Sequence, residues 1–590
     1  MRQRAAATYA AAVLVAAFTL TSTVAAEAGA GSDSGATGQK QKAAVATAGD
    51  FVTHTENKRV PKGARWTQHY FPSSDGSETE LHADVLLPEK LPKGKKVPVI
   101  LSASSYFGHS GELGPEGWKH TGPSKRFQDF MKGTDLFDQG YAFVAVDTRG
   151  FGGSTGCLDF GGPGEQADVK AAINWSAQQS WSTGSVGMYG MSFDAYTGLI
   201  GNNLKQDALK AVVAQEPVWD AYKHFQANGL FRWTSPIASN TYNTIASLPQ
   251  LPDDDKRYRA NADYEKKHPE CAALNSLNAS VGDPDDPYWA DRSPAKRAKG
   301  TDSPLFFTQG FIEPNTKGEG MEEFLDNHEG PERGWLGQWD HVRGDKRTQD
   351  GQLAMGREGW YKETLSFFDE HLKGVEPKVT YPDYAVQDST GTWRAEKSWP
   401  AADRSTTVRL GDGSYTDTGG GSTTAAKGTA QTAGSDGAGF FVWSEPIAKS
   451  TRIIGTPKVS MTARGEGNVM VKLYDVAKDG TAVMFDEQVS RLDADQLSLD
   501  LKPTDWTLKA GHTLAVEIGS VQSGEWLDTP SQQQIQITDA RLELALDDPA
   551  DDVVTNGNRS PYLDLYLQAH TSKLKPGPAT ITVPPAREQR

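Results

Sequence analysis

Ser185-Val186-Gly187-Met188-Tyr189-Gly190-Met191-Ser192-Phe193-Asp194-Ala195 spells a short strand, a glycine-containing turn and the opening of a helix that runs to about Leu204. A serine at such a junction is a nucleophile elbow: the strained turn lifts its hydroxyl over the sheet edge, and the helix N-terminus faces the point where an oxyanion develops. The literal pattern Gly-x-Ser-x-Gly occurs elsewhere, in Gly152-Gly153-Ser154-Thr155-Gly156, but Cys157 and more glycines follow it and no helix begins there. Context therefore selects Ser192 as the nucleophile and sets Ser154 aside.

Working outward, strand-like pieces precede the elbow at His69-Tyr70-Phe71, Leu81 to Leu87, Val97 to Leu101 and Ala142 to Val146. The last two are unbroken apolar runs, as strands buried on both faces of a parallel sheet require. Helical stretches at Gly164 to Gln179 and Glu358 to Leu372 alternate with strands, which predicts a doubly wound α/β core of the α/β-hydrolase type over residues 50–219 and 300–376. The interval 220–299 is rich in Asn, Asp, Tyr, Lys and Pro, breaks the rhythm and is expected to form a mostly helical cap over the site. Residues 377–439, dominated from Gly411 by Gly, Ser, Thr and Ala, are expected to be a linker. From 440 to 590, short β runs (Lys458 to Thr462, Val469 to Tyr474, Thr513 to Ile518, Gln533 to Ile537, Arg541 to Leu546) predict a β-sandwich of jelly-roll form.

The 590 residues suffice for two or three cores. With 60 Lys and Arg against 76 Asp and Glu, a formal charge of −16 and no basic run, the chain lacks the footprint that phosphate backbones require, and nucleic acid is excluded as a partner. Arg2 and Arg4 precede the apolar Ala10 to Leu20 and the small residues Val24-Ala25-Ala26, which predicts a signal peptide over 1–26, a disordered leader over 27–49 and an extracellular protein with no remaining membrane span. The alternative, a membrane anchor, has an apolar run short of the roughly 20 residues a bilayer needs. Export makes Cys157 and Cys271, the only two cysteines, candidates for one disulfide, with two free buried thiols as the alternative. No metal-ligand spacing is present, and no metal or cofactor is expected.

Several stretches resemble the Xaa-Pro dipeptidyl-peptidase family, which also contains cocaine esterase and the α-amino acid ester hydrolases. They are Gly140-Tyr141 through Asp147-Thr148-Arg149-Gly150, Gly164-Glu165-Gln166, Trp175, Trp181-Ser182 and Val186 to Phe193. The family's elbow is Gly-x-Ser-Tyr-x-Gly, and here Phe193 and Ala195 replace its tyrosine and last glycine. Gly310-Phe311-Ile312-Glu313-Pro314-Asn315 stands where the family has Gly-x-x-Asp-x-Asn, and Leu336-Gly337-Gln338-Trp339-Asp340-His341 where it has Gly-Pro-Trp-x-His. Phe367 to Gly374 is similar to the helix that closes the catalytic domain, and Gly455-Thr456-Pro457 with Leu473 to Val476 to the family's jelly roll.

The resemblance implies a serine hydrolase working through an acyl-enzyme. Ser192, Glu313 and His341 occur in the order nucleophile, acid, base that α/β-hydrolases use, and Glu313 follows the apolar Leu305-Phe306-Phe307. Asp302, Asp326 and Asp340 are nearby rivals for the acid: the first precedes its strand, the second lies in a predicted helix, and the third adjoins His341. The backbone N–H of Phe193 is the expected first oxyanion donor. The resemblance supplies the second, the phenol of Tyr106 beyond Val99-Ile100-Leu101. It also implies a peptide or small ester as the substrate: release of N-terminal Xaa-Pro dipeptides is the leading function, supported by Asn315, with a carboxylesterase of the cocaine-esterase type as the alternative. A third possibility, from another class, is an inactive surface- or carbohydrate-binding protein. Recognition of a free α-amino group needs a buried acceptor or carboxylate near the site, for which Glu216 and Asp220 are the candidates, with a helix-capping or salt-bridge carboxylate as the alternative reading of both. Oligomeric state is left open.

Overall fold

The structure is a computed structural model that describes residues 58–419 and 437–587. The expected signal peptide and leader lie outside the described residues.

Strands β1 (Ala64–Pro72), β2 (Glu80–Pro88), β3 (Val97–Ser104), β4 (Ala142–Asp147), β5 (Ser182–Met191) and β6 (Leu209–Gln215) belong to one sheet. The short β7 (Gln226–Ala227) and β8 (Leu230–Arg232) form a hairpin outside it, and β9 (Leu305–Gly310), β10 (Glu332–Gly337), β11 (Tyr384–Gln387) and β12 (Trp393–Glu396) complete the sheet. The order is β1-β2-β4-β3-β5-β6-β9-β10-β11-β12, parallel from β4 through β11 and antiparallel at both margins.

Alternation along the buried strands divides the apolar residues between two cores. Val97, Val99 and Leu101 of β3, Ala142, Val144 and Val146 of β4, and Leu305 and Phe307 of β9 face one core, whereas Ile100, Phe143, Ala145 and Phe306 face the other. The first face is covered by α2 (Pro163–Gln178) and α3 (Phe193–Asn203) and the second by α1 (Gln128–Gly133) and by α12 (Trp360–Lys373), which contributes Phe367, Phe368 and Leu372. Gly187 of β5 admits α12, since a Cβ there would lie 2.7 Å from the Phe368 ring.

Residues 220–299 fold mostly as short helices, α4 (Ala221–Phe225), α5 (Ser235–Ala246), α6 (Lys256–Ala262), α7 (Tyr264–Lys267), α8 (Glu270–Asn278), α9 (Pro287–Ala290) and α10 (Pro294–Arg297), with the β7–β8 hairpin among them. A disulfide between Cys157, in the loop after β4, and Cys271, in α8, ties this cap to the core. One further helix, α11 (Met321–Asn327), lies between β9 and β10.

The expected linker over 377–439 needs correction. β11 and β12 extend the core sheet within it, and Arg404–Thr416 is a long strand of the next domain; residues 420–436 lie outside the described residues. In that domain, Arg404–Thr416, Gln534–Asp547, Thr451–Arg464, Gln496–Asp500 and Thr504–Leu508 make one sheet. Thr571–Lys573, Thr481–Arg491, Asn468–Val476, Thr513–Gly519, Gly439–Ser444 and Ala579–Ile581 make another. Apolar residues from both sheets share one core, the arrangement of a β-sandwich. The two runs expected at Gln533 to Ile537 and Arg541 to Leu546 are one strand, kinked where Asp539 takes a positive φ of 54°.

Candidate active site

Ser192 sits between β5 and α3 with φ 65° and ψ −122°, a conformation that costs a non-glycine residue about 1–3 kcal/mol and persists only where its surroundings impose it. Those surroundings are identifiable. A Cβ on Gly190 would stand 2.3 Å from the carbonyl carbon of Asp194, so strand and helix approach as closely as they do because position 190 has no side chain. The Ser192 N–H donates to Gln215 O at 2.9 Å, and its carbonyl accepts the Tyr196 N–H at 2.9 Å, which starts the helix. Buried Arg126 braces the turn from outside, Nη2 donating to Met191 O at 3.0 Å and Nε to Asp194 Oδ2 at 2.6 Å.

His341 follows β10, and Glu313 follows β9. His341 Nδ1 lies 2.5 Å from Glu313 Oε2. The carboxylate also accepts the Asn315 N–H at 2.5 Å and lies 3.1 Å from Thr316 Oγ1, and Glu313 is only 1% exposed. Burial alone would raise its carboxyl; the charge of His341 and these hydrogen bonds outweigh burial and hold it below the ordinary range. Burial likewise opposes a charge on His341, but Glu313, with Glu216 and Asp340 beyond it, raises the imidazole above its ordinary value. Asp340 turns its carboxylate to the His341 backbone N–H, at 2.6 Å, and Asp326 lies in α11.

Ser192 and the loop that carries His341 are joined through a residue the sequence did not single out. Gln215, at the end of β6, accepts the Ser192 N–H on its carbonyl and the Gly344 N–H on its side-chain Oε1, at 2.9 Å each. The elbow and the His341 loop therefore share one anchor. Ser192 is half-buried. Gln338, three residues before the base, donates from Nε2 to Asp505 O of the β-sandwich at 3.0 Å, so that domain steadies the catalytic loop.

Tyr106 stands beside Phe193, with their ring centroids 6.4 Å apart. Its hydroxyl is 2.8 Å from that of Tyr242 in α5 of the cap, and the Arg126 guanidinium lies 4.6 Å from its ring centroid. Burial pushes its phenol up, so it keeps its proton and can donate. The Phe193 N–H belongs to the first turn of α3, where backbone donors have no partner within the helix. The imidazole of His224 is pushed down to about 3 by burial and by the charges of Arg232 and His341.

Glu216 is closed to a substrate ammonium, and Asp220, 3% exposed at the edge of a polar cleft, is engaged by its own neighbours. Glu216 is fully buried behind the acid, its Oε1 accepting from Trp339 Nε1 at 2.8 Å and Thr308 Oγ1 at 2.9 Å and its Oε2 from the Gly310 N–H at 2.9 Å. Burial first, and then Glu313, push its carboxyl up to about 8 although these donors favour the anion. Asp220 caps α4 through the Lys223 N–H at 3.0 Å and accepts from Ser293 Oγ at 2.5 Å. Both are structural. Asn315 is exposed beside Glu313, and its carbonyl accepts from Arg232. A polar cleft of about 780 Å³, lined in part by Lys223, Glu319, Glu323 and Asp500, contains none of Ser192, Glu313 and His341.

Sequence reasoning missed Gln215, Thr316, Arg126, Tyr242 and His224. Thr316 alone carried a local signal, being two residues past the Pro314 turn and next to the Asn315 already singled out.

Both parts of the chain match known proteins. Residues 75–343 match the X-Pro dipeptidyl-peptidase (S15 family) profile, and residues 376–560 match the X-Pro dipeptidyl-peptidase C-terminal non-catalytic domain. A putative Xaa-Pro dipeptidyl-peptidase of Streptomyces avermitilis is 25% identical over 437 residues, 66% of this chain and 60% of that protein. One from Bacillus anthracis is 24% identical over 507 residues, 75% of this chain and 80% of that protein. The cocaine esterase of a Rhodococcus species is 26% identical over 332 residues, 49% of this chain and 56% of the esterase. Among solved structures, an α-amino acid ester hydrolase superimposes with a TM-score of 0.60 at 16% identity, covering 86% of this chain and 98% of the other. An aminopeptidase of a marine-sediment Thaumarchaeota archaeon does so with a TM-score of 0.60 at 16% identity, covering 84% and 98%; at this identity the likeness is one of fold. With both domains matched in order and an elbow serine set at the edge of an α/β sheet, the chain belongs to the X-Pro dipeptidyl-peptidase (S15) family and is a serine hydrolase.

Proposed function

We propose that the protein is an exported Xaa-Pro dipeptidyl-peptidase that works through an acyl-enzyme on Ser192. His341 accepts the Ser192 proton as the hydroxyl attacks the scissile carbonyl and returns it to the leaving amine; water, deprotonated by the same imidazole, then releases the dipeptide. Glu313 holds Nδ1–H of the ring toward itself, leaving Nε2 as the base, and stabilises the imidazolium that forms. The Phe193 N–H and the Tyr106 hydroxyl receive the negative charge of the tetrahedral intermediate. Substrate, in excluding water, would bring Ser192 Oγ and the His341 Nε2 into hydrogen-bond reach, since catalytic hydrogen bonds are often long in ligand-free sites and tighten in the complex. Asn315, exposed beside the acid, is the substrate-contacting residue retained from the sequence; Glu216 and Asp220 are not.

One observation carries the hydrolytic mechanism: the 2.5 Å pairing of His341 with Glu313 beside a serine kept in a strained backbone. A decayed site has no use for that strain. Peptide over ester is supported by the wider span of the peptidase relatives, 66% and 75% of this chain against 49% for the cocaine esterase. The esterase remains the second reading, because the same Ser, His and Glu serve either acyl group. A panel of Ala-Pro-p-nitroanilide, Ala-Ala-p-nitroanilide and p-nitrophenyl acetate tests the choice. A kcat/KM at least tenfold higher for Ala-Pro than for Ala-Ala supports the peptidase, and turnover of the acetate alone overturns it.

A further inference from the structure

We propose that His82, His109 and Asp84 form a zinc site, with Gln68 as the fourth ligand, that fastens the cap to the sheet. The site shares no residue with the proposed catalytic set and does not depend on the proposed substrate. His82 and Asp84 lie on β2 and Gln68 on β1, while His109 lies in the loop after β3. All four are buried, and the histidine and aspartate ligand atoms lie within 4.8 Å of one another.

The distances suit a tetrahedral ion. Zinc bonds of about 2.0–2.1 Å place neighbouring donor atoms about 3.3 Å apart. His109 Nε2 is 3.4 Å from Asp84 Oδ1, His82 Nε2 is 3.8 Å from the same oxygen, and His82 Nε2 is 3.1 Å from Gln68 Oε1. The orientation of both rings is set from behind. His82 Nδ1 lies 2.8 Å from Asp147 Oδ2, and His109 Nδ1 lies 2.8 Å from Asp254 Oδ1. A carboxylate on the far nitrogen of each imidazole is the outer-shell pattern of metal-ligating histidines, and it turns both Nε2 atoms toward Asp84. Trp66 Nε1, at 2.7 Å, occupies one lone pair of Asp84 Oδ1 and leaves the other for the ion. Gly153 N–H, at 2.9 Å, holds Asp147 Oδ2. A Cβ on Gly152 would lie 2.1 Å from that carboxylate, which explains the glycines of the false elbow motif.

Charge points the same way. Three buried carboxylates, Asp84, Asp147 and Asp254, face two imidazoles, with Arg59, which donates to His109 O, and the ring of Tyr258 alongside. With both rings neutral this leaves an excess of buried negative charge, which is costly. Either one proton on each Nε2 or one dication supplies two positive charges. Binding is thus an exchange in which M²⁺ enters and the Nε2 protons leave to solvent. Imidazole and carboxylate donors around a four-coordinate centre favour zinc. Since Asp254 comes from the cap, the ion would join it to β2.

The test uses the full chain, treated with EDTA and dialysed against metal-free buffer. Zinc added back should bind at close to one ion per chain by elemental analysis and raise Tm. Cobalt in its place should show the visible ligand-field bands of a tetrahedral centre. His82→Gln should lose the bound zinc and the Tm response, while Ser192 still reacts with a fluorophosphonate. If that variant does not fold, the cobalt spectrum of the unaltered chain decides. A chain that takes up only traces of zinc or cobalt, with Tm indifferent to both metal and EDTA, would show that protons fill the cluster and would overturn the site. Undiminished zinc binding by folded His82→Gln would do so as well.

Discussion

Glu313 and His341 meet across 2.5 Å at the ends of two adjacent parallel strands, with the carboxylate buried and the imidazole still open to solvent on its other side. This asymmetry keeps the carboxylate out of contact with bulk water while it holds the ring.

The base must be neutral to accept a proton, so kcat/KM for p-nitrophenyl acetate should rise with pH and level off above the pKa of His341. Because Glu313 raises that pKa despite burial, the midpoint should lie above the ordinary histidine value of about 6.5. Glu313→Gln removes the main raising influence: the midpoint should move to lower pH, and the plateau should fall by a factor on the order of 10⁴. An unchanged midpoint in Glu313→Gln would dissociate the two residues.

Ser192→Ala should abolish fluorophosphonate labelling and turnover. Ser154→Ala should keep both, but at a cost in stability, because Ser154 Oγ is buried, donates to Asp147 O at 2.7 Å and accepts the His82 N–H at 2.8 Å. Loss of such paired buried bonds is worth about 1–3 kcal/mol. Urea titration and labelling of both variants separate the two effects.

Tyr106→Phe should lower kcat by about 10²–10³, the usual cost of one oxyanion donor. Tyr242→Phe leaves the Tyr106 hydroxyl in place and removes only its 2.8 Å partner, so kcat should fall less than tenfold. Equal losses in both variants would mean that the two phenols act as one donor. Single-turnover acylation rates give the comparison directly.

Glu216→Gln replaces an acceptor with an amide group, so at least one of the Trp339, Thr308 and Gly310 donors must face an NH₂ or lose its partner. A loss of about 1–3 kcal/mol is expected, read by urea titration. KM for Ala-Pro-p-nitroanilide should be unaffected if Glu216 touches no substrate.

Denaturing thiol counts should find none until reductant is added. Breaking Cys157–Cys271, which closes a loop of sequence separation 114, should then lower stability by about 2–5 kcal/mol. Chemical denaturation with and without reductant measures it.

Ser192 was legible in the sequence because strand, turn and helix are local and contiguous there. The paired apolar runs of β3 and β4 likewise announced a strand buried on both sides. The contacts that hold the site were not legible: Gln215 reaches Gly344 and Tyr242 reaches Tyr106 across separations of 129 and 136 residues, and no local pattern encodes such meetings. Glu216 was misread because a carboxylate after an apolar strand looks the same whether it faces a cavity or the donors of its neighbours. The strand Arg404–Thr416 was hidden by its glycines. Gly413 is not there for flexibility, however: a Cβ at that position would lie 2.4 Å from the Phe440 ring, so the residue that suggested a loop is what permits close packing.

The cap is tethered to the core by the Cys157–Cys271 bridge at α8, by Tyr242 on Tyr106 at α5, and by Asp254 on His109 between them. Three attachments spread along one segment of short helices share any load between them: loosening one helix leaves two fastenings in place, so residues 220–299 keep their seat on the core through local openings that would free a segment held at a single point.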